Sequence, residues 1–230
     1  INTVYETVLA LANKEQRGYI TPQEFNLFAN QAQMSIFEQY FYDLNQFLRV
    51  PGNNTAYADM VNLLEEKIST FEKSNATVGG GSSLPSNLYK LQQVQWLNSI
   101  EGKYYNAEYV DRKTWLQMQT VPLVRPTDKK LIYIRNSSGI SVIGDNSKNV
   151  NVTCNYISKP KNPNWTYVVV NKKALYNANA SDHNHFELHE SEQTELVTRI
   201  LALAGITLKD TNLYQIASNQ TNSQTQQQKQ

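Results

Sequence analysis

Ile20-Thr21-Pro22-Gln23-Glu24-Phe25 is the stretch that decides the fold, because it marks the start of a long helix. Thr21 can cap the helix, Pro22 suits the first helical position, and Glu24 completes a capping box. Ile20 and Phe25 are placed to pack across this start as a hydrophobic staple. The sequence predicts a helix from Thr21 to about Val50, with an apolar face that repeats every three or four residues: Phe25, Phe28, Ala32, Ile36, Tyr40, Leu44 and Phe47.

Shorter helices are predicted on both sides of this long one. A short amphipathic helix covers Val4 to Ala12, and Thr55 can cap a third helix that ends near Phe71. Towards the other end, Ser191 is a good cap for a further helix, and Gly205 is placed as its left-handed terminator. We therefore predict a helical bundle at residues 1–74, completed by a helix within residues 186–209.

The composition changes after the third helix. Residues 75–87 contain Gly79-Gly80-Gly81-Ser82-Ser83 and few apolar side chains, which is typical of a linker. A phosphate-binding loop would need a Lys-Ser/Thr pair directly after the glycines, and none is present. Residues 88–185 then favour an antiparallel β insertion of four to six strands, with a short helix near 109–118. The predicted strands are Leu88–Trp96, Leu131–Arg135, Ile140–Ile143, Val150–Ile157 and Trp165–Val170.

The predicted fold class is therefore α+β, with an extended C-terminal tail at residues 210–230. Leu213, Tyr214 and Ile216 are the last apolar anchors, and no apolar side chain follows Ala217. Fixing one backbone residue costs about 1–2 kcal/mol, which such a polar run cannot offset by burial within its own domain. We expect these three residues to contact a neighbouring chain, with the Gln/Asn run after them hydrogen-bonded to that chain.

Composition excludes several classes of function. The chain has 230 residues and a net charge of +1, from 21 basic and 20 acidic residues. Lys and Arg form no stripe, so sequence-specific DNA binding is not expected. The single cysteine, Cys154, cannot form an internal disulfide, and no apolar run approaches the ~18 residues that span a membrane. These features are typical of a protein made in a reducing cytoplasm.

The candidate chemistry is confined to one segment. His183, His185 and His189 stand within eight residues, and in an extended strand alternate side chains share a face. A metal-dependent hydrolase built on this cluster is one alternative function, since histidine is a common zinc ligand. The interpretation we favour is a polar connecting segment without a metal. No nucleotide fingerprint and no nucleophile–base pairing occurs, so no catalytic residue, cofactor or enzymatic activity is expected.

Three segments resemble a known family. They are residues 8–28, Leu84-Pro85-Ser86-Asn87-Leu88-Tyr89-Lys90-Leu91, and residues 186–197 with the sequence Phe-Glu-Leu-His-Glu-Ser-Glu-Gln-Thr-Glu-Leu-Val. The first resembles the N-terminal helical pair, the second the entry into the sheet, and the third the sheet-to-helix junction of the head-to-tail adaptor, or ring, proteins of short-tailed bacteriophages. That family includes proteins of the crAss-like and related marine phages.

The resemblance implies a structural virion protein that forms a ring, typically of twelve copies, at the portal vertex. Its partners would be itself, the portal protein and downstream tail or ring proteins. Genomic DNA would pass through the channel without sequence-specific binding, and no membrane would be contacted. Assembly would take place in the cytoplasm of the host bacterium. Besides the hydrolase, a monomeric module that binds a host surface through its β insertion remains an alternative.

Overall fold

The computed structural model of the chain describes residues 1–14, 20–49, 55–80, 82–148, 150–171 and 173–207. The chain forms two compact units. The first contains Ile1–Thr70 together with the described residues from Pro160 onward, and the second contains Phe71–Lys159. The first unit is largely helical and the second is built on a sheet, so the predicted α+β class is confirmed.

Four helices form the body of the first unit: α1 (Asn2–Lys14), α2 (Pro22–Arg49), α3 (Thr55–Ser69) and α5 (Gln193–Thr207). The predicted capping box at the start of α2 is present. The Thr21 amide donates to Glu24 Oε2 at 2.9 Å, and the Glu24 amide donates to Thr21 Oγ1 at 3.3 Å. Ile20 and Phe25 are both buried beside it. Local contacts thus fix where α2 begins.

The apolar face of α2 is less buried towards the C-terminal end of the helix than in its first two thirds. Phe25, Ala32, Ile36 and Tyr40 are buried, whereas Phe28, Leu44 and Phe47 are only half-buried. The predicted terminator of α5 differs from the structure. The helix runs through Gly205 to Thr207, and Gly205 lies buried inside it.

Two amides on α2 hold the chain that follows Pro160. Asn26 Oδ1 accepts from the Trp165 amide at 2.8 Å. Seven residues on, Gln33 Nε2 donates to the carbonyl of Lys161 at 2.7 Å, and its Oε1 accepts from the Glu187 amide at 3.1 Å. Gln33 is fully buried, so these bonds satisfy groups that water cannot reach. They fasten an extended segment of the chain to the helical unit.

This extended segment carries a two-stranded hairpin, formed by β8 (Tyr167–Val170) and β9 (Lys173–Tyr176). The Trp165 ring is stacked with those of Tyr167 and Tyr176, at centroid distances of 5.7 and 5.8 Å, and lies 4.0 Å from the Tyr5 ring of α1. The strand predicted at Trp165–Val170 therefore belongs to the helical unit and pairs in a separate sheet. The predicted boundary at 185/186 lies at 159/160 in the structure.

The second unit is a seven-stranded sheet in the order β1-β7-β2-β3-β4-β5-β6. Its strands are β1 (Glu72–Thr77), β2 (Leu88–Asn98), β3 (Lys103–Tyr109), β4 (Leu131–Asn136), β5 (Gly139–Ile143), β6 (Ser147–Lys148) and β7 (Val152–Ser158). One pair, β3 with β4, is parallel, and the other pairs are antiparallel. The parallel pair requires a crossover, which α4 (Arg112–Thr120) supplies.

The segment predicted as a linker, residues 75–87, is part of this sheet unit in the structure. Its first residues complete β1, and the Val78 amide donates to the carbonyl of Val152 at 2.9 Å. Farther along, the Ile140 amide donates to the carbonyl of Ser82 at 2.9 Å. The small side chains that suggested a linker allow the backbone to pack closely instead. The helical part accordingly ends near Thr70 rather than at residue 74.

The core of the sheet unit lies under its central strands. Its buried residues are Val78, Leu91, Val94, Ala107, Leu131, Tyr133, Ile140, Val142, Val152, Cys154 and Tyr156. Within the described residues, no helix combines the length and the hydrophobicity needed to cross a bilayer.

Candidate interaction surfaces

The three histidines do not form one cluster of ligands. His183 Nε2 lies 2.7 Å from the Tyr176 hydroxyl, and the His183 and His185 rings meet edge to face with centroids 4.6 Å apart. His189 Nδ1 accepts from the Ser191 amide at 3.3 Å and so caps the 3-10 helix Glu190–Glu192. Ser191, the predicted cap of the following helix, lies inside this 3-10 helix, and α5 begins at Gln193. Among the described residues, no group of three or more His, Cys, Asp or Glu side chains is arranged to hold a metal ion.

Charged side chains also meet between α2, α3 and α5. Lys67 Nζ lies 2.5 Å from Glu192 Oε1, and both side chains are nearly buried. Burial, followed by the charges of neighbouring carboxylates, raises the pKa of the Tyr40 phenol above its ordinary value. Arg199 donates to three acceptors: Glu195, Gln39 and Ser35. Because these charges face one another inside the unit, we interpret them as a network that links the helices.

The hairpin β8–β9 is fixed at its base by hydrogen bonds, and its outer strand edges are unpaired within the described residues. The Asn177 amide donates to the Thr166 carbonyl at 2.9 Å, and the Thr166 hydroxyl donates back to the Asn177 carbonyl. At the far end, Asn171 takes the left-handed conformation, φ 50°, which asparagine tolerates better than most residues. Within the described part of the chain, neither strand pairs with a third one. Both outer edges therefore keep backbone groups available for pairing.

Four apolar side chains of the hairpin are exposed, and together we name them the hairpin surface: Val168 by 50%, Val169 by 63%, Val170 by 46% and Leu175 by 52%. Val168 lies opposite Leu175, on the face turned away from the two tyrosines that stack on Trp165. Val169 lies on the tyrosine face but nearer the tip. A strand pair with apolar residues on both faces is suited to insertion against another surface.

A second exposed apolar region lies on the sheet unit. Asp111 caps helix α4 through its carboxylate, which accepts from the Thr114 amide, and none of the nine residues of the helix is buried. A 3-10 helix, Pro122–Val124, follows it. We name the exposed apolar side chains of this region the α4 surface: Leu116, Val121, Leu123 and Val124. Leu123 is 99% exposed, so its side chain contributes none of the stabilising free energy that burial of a leucine provides.

A cavity of about 460 Å³ adjoins the α4 surface. Its apolar lining comes from Tyr109, Val110, Met118, Val124, Pro126 and Ile132. Three charged side chains also line it: Glu108, Asp111 and Lys130. Val124 belongs both to the cavity and to the α4 surface, so the two regions adjoin at this residue. The lining thus carries a net charge of −1, since two carboxylates accompany one ammonium group.

Neither surface was predicted from the sequence. The strand containing Val168-Val169-Val170 was predicted, but its partner β9 was not, so the hairpin was missed. The three consecutive valines, which break the alternation of a half-buried strand, were the available signal. The predicted contact residues Leu213, Tyr214 and Ile216 lie outside the described residues.

No protein-family model matches the sequence, and no curated protein is significantly similar to it.

Proposed function

We propose that this protein is a structural subunit of a homo-oligomer, of the kind formed by head-to-tail connector proteins of short-tailed phages. The observation that carries the proposal is the exposure of two separate apolar surfaces, one on each unit. Single exposed apolar side chains are common on monomers, but groups of them are typical of interaction sites. Four exposed apolar side chains stand on each surface.

The two surfaces differ in kind, which favours a head-to-tail assembly over a symmetric dimer. A twofold contact uses the same patch on both subunits, whereas a head-to-tail contact joins two different patches and forms a ring where the rotation between copies closes. A hairpin and a helix with an adjoining cavity are two such different patches. The near-zero net charge also favours association, because it leaves little overall repulsion between copies.

The connector assignment itself is supported by the resemblance of the three segments described above. On this proposal, the ring joins the portal protein to the tail at the neck of the virion, and DNA passes through its centre. The tail at 210–230, through Leu213, Tyr214 and Ile216, would hold the portal or a neighbouring copy. Deletion of residues 210–230 should then weaken docking onto the portal protein and leave circular dichroism unchanged.

The decisive experiment is the solution mass of the purified protein, combined with electron microscopy. Multi-angle light scattering should give a mass of several subunits, and class averages should show a ring with rotational symmetry. A particle of one subunit at all concentrations, with and without the portal protein, would contradict the proposal and favour the monomeric binding module.

A further inference from the structure

We propose that the hairpin surface of one copy docks on the α4 surface of the next copy, with the hairpin tip in the adjoining cavity. This inference rests on the proposed homo-oligomeric function and identifies its contact. A second copy of this chain is thus the occupant of the cavity.

The shapes of the two surfaces correspond. The hairpin is narrow, with two strands and apolar residues on both faces, so a flat partner would cover only one of those faces. A cavity bordered by a helix can cover both, because the tip enters it while the remaining side chains meet the border. Val124, which lines the cavity and is exposed beside it, continues the contact from one region to the other.

The charges of the hairpin and of the cavity lining are also complementary. Lys173, the first residue of β9, is exposed next to the hairpin turn. The cavity lining contains Glu108 and Asp111 against the single ammonium group of Lys130. The exposed Lys173 therefore meets a cavity lining of net negative charge, which favours this pairing over one between two hairpins, where the two copies of Lys173 would face each other.

The hairpin is also preorganised for docking. Three of its four exposed apolar side chains are valines, which have few rotamers to lose on contact. Its base is held by the stacked Trp165 and by the Thr166–Asn177 hydrogen bonds. A rigid element loses less conformational entropy on binding than a flexible loop does.

A mixing experiment tests the pairing of the two surfaces. Val169→Asp places a charge on the hairpin surface, and Leu123→Asp places one on the α4 surface; both positions are exposed, so both variants should fold. Each variant alone should be monomeric in light scattering. An equimolar mixture should form a one-to-one dimer, because one intact hairpin meets one intact cavity and no further contact remains. Ile100→Asp, at a position 97% exposed outside both surfaces, is the matched control and should assemble as wild type.

Charge reversal tests the orientation of the tip. Lys173→Glu and Glu108→Lys should each weaken self-association, by about fivefold for an exposed ion pair, and the double variant should restore it. A hairpin-to-hairpin contact would give a different result: Leu123→Asp would assemble as wild type, and the mixture would contain no heterodimer. If wild type forms rings and neither surface variant disturbs them, this inference is wrong and the proposed function stands. If wild type is itself monomeric, the proposed function fails first.

Discussion

Lys67 of α3 and Glu192 of the turn before α5 form an ion pair with 2.5 Å between Nζ and Oε1, and only 11% and 4% of their side chains are exposed. The two residues are far apart in the sequence, so the pair joins the first part of the helical unit to its last helix. Taking two charges out of water is costly, and their mutual attraction offsets this cost only while both are present. The pair therefore makes the packing of α3 near α5 sensitive to the loss of either partner.

Removal of one partner should be strongly destabilising. In Lys67→Met the carboxylate of Glu192 stays buried without its counter-ion, and the free energy of unfolding should fall by about 3–5 kcal/mol. Urea denaturation followed by circular dichroism measures this change. Glu65→Gln, at an exposed position of the same helix, is the control and should change stability by no more than about 0.5 kcal/mol. Equal effects of the two changes would contradict the role of the pair.

The centre of the α2 face should tolerate truncation poorly. Ile36 is 1% exposed, so Ile36→Ala leaves a cavity and should cost about 2–5 kcal/mol. Leu27, on the same helix, is 69% exposed, and Leu27→Ala should cost no more than about 0.5 kcal/mol. Thermal unfolding of the two variants compares them directly. A similar melting temperature for both would show that the face has been assigned incorrectly.

Gly139 should not accept a side chain. Its φ is 137°, and an added Cβ would lie 2.0 Å from the carbonyl oxygen of Ser82. Gly139→Ala should therefore destabilise the sheet unit by more than the ~1–3 kcal/mol of backbone strain alone. Gly102 also has a positive φ, 64°, but open space around it. Gly102→Ala should cost only about 1–2 kcal/mol, and chemical denaturation of both variants compares a sterically blocked glycine with an open one.

Acid should weaken the contact between Asp128 and Lys148. Lys148 Nζ lies 2.7 Å from Asp128 Oδ1, and this hydrogen bond, with that of the Asp145 amide, holds the pKa of Asp128 below its ordinary value. A lowered pKa in the folded state means that the contribution is present above the ordinary Asp value, near 3.9, and is lost as pH falls through the lowered value. Asp128→Asn should therefore lower the melting temperature at pH 7 and lose this effect in acid. An equal difference at both pH values would contradict the assignment.

Cys154 should be unreactive in the folded protein. Its side chain is 1% exposed in β7, and burial raises the pKa of its thiol, which leaves less thiolate at neutral pH. Ellman's reagent should detect no thiol in native protein and one thiol per chain in urea. Rapid labelling without denaturant would show that β7 opens readily. Because Cys154 does not react, cysteines introduced at exposed positions can then be labelled selectively.

The sequence was most informative where structure depends on neighbours in the chain. The start of α2 follows from Thr21 and Glu24, three residues apart, and the turn between β4 and β5 follows from small polar residues. Strand β1, with the polar sequence Glu-Lys-Ser-Asn-Ala-Thr, was missed because it owes its structure to pairing with β7. The contacts of Gln33 span 128 and 154 residues, so no local pattern could place the Trp165 segment in the helical unit.

The candidate surfaces were missed for the same reason. Whether Val169 or Leu123 is exposed depends on what the rest of the chain covers, and hydrophobicity alone predicts burial for both. Helix α4 was predicted near its observed place, yet its lack of any buried residue became visible only in the structure. The exposure of these apolar side chains is therefore determined by the tertiary structure and not by the local sequence pattern.

The division of the helical unit into two chain segments has a consequence for synthesis on the ribosome. Helices α1 to α3 emerge first, but α5 and the segment held by Asn26 and Gln33 come only after Phe71–Lys159 has been made. The sheet unit is formed by one continuous segment of the chain. It can therefore complete its folding before α5, which packs against α2, has been synthesised. We expect a chain that ends at residue 159, once released from the ribosome, to have a protease-resistant sheet unit and protease-sensitive helices. Chaperones that bind apolar segments would meet this protein chiefly during that interval.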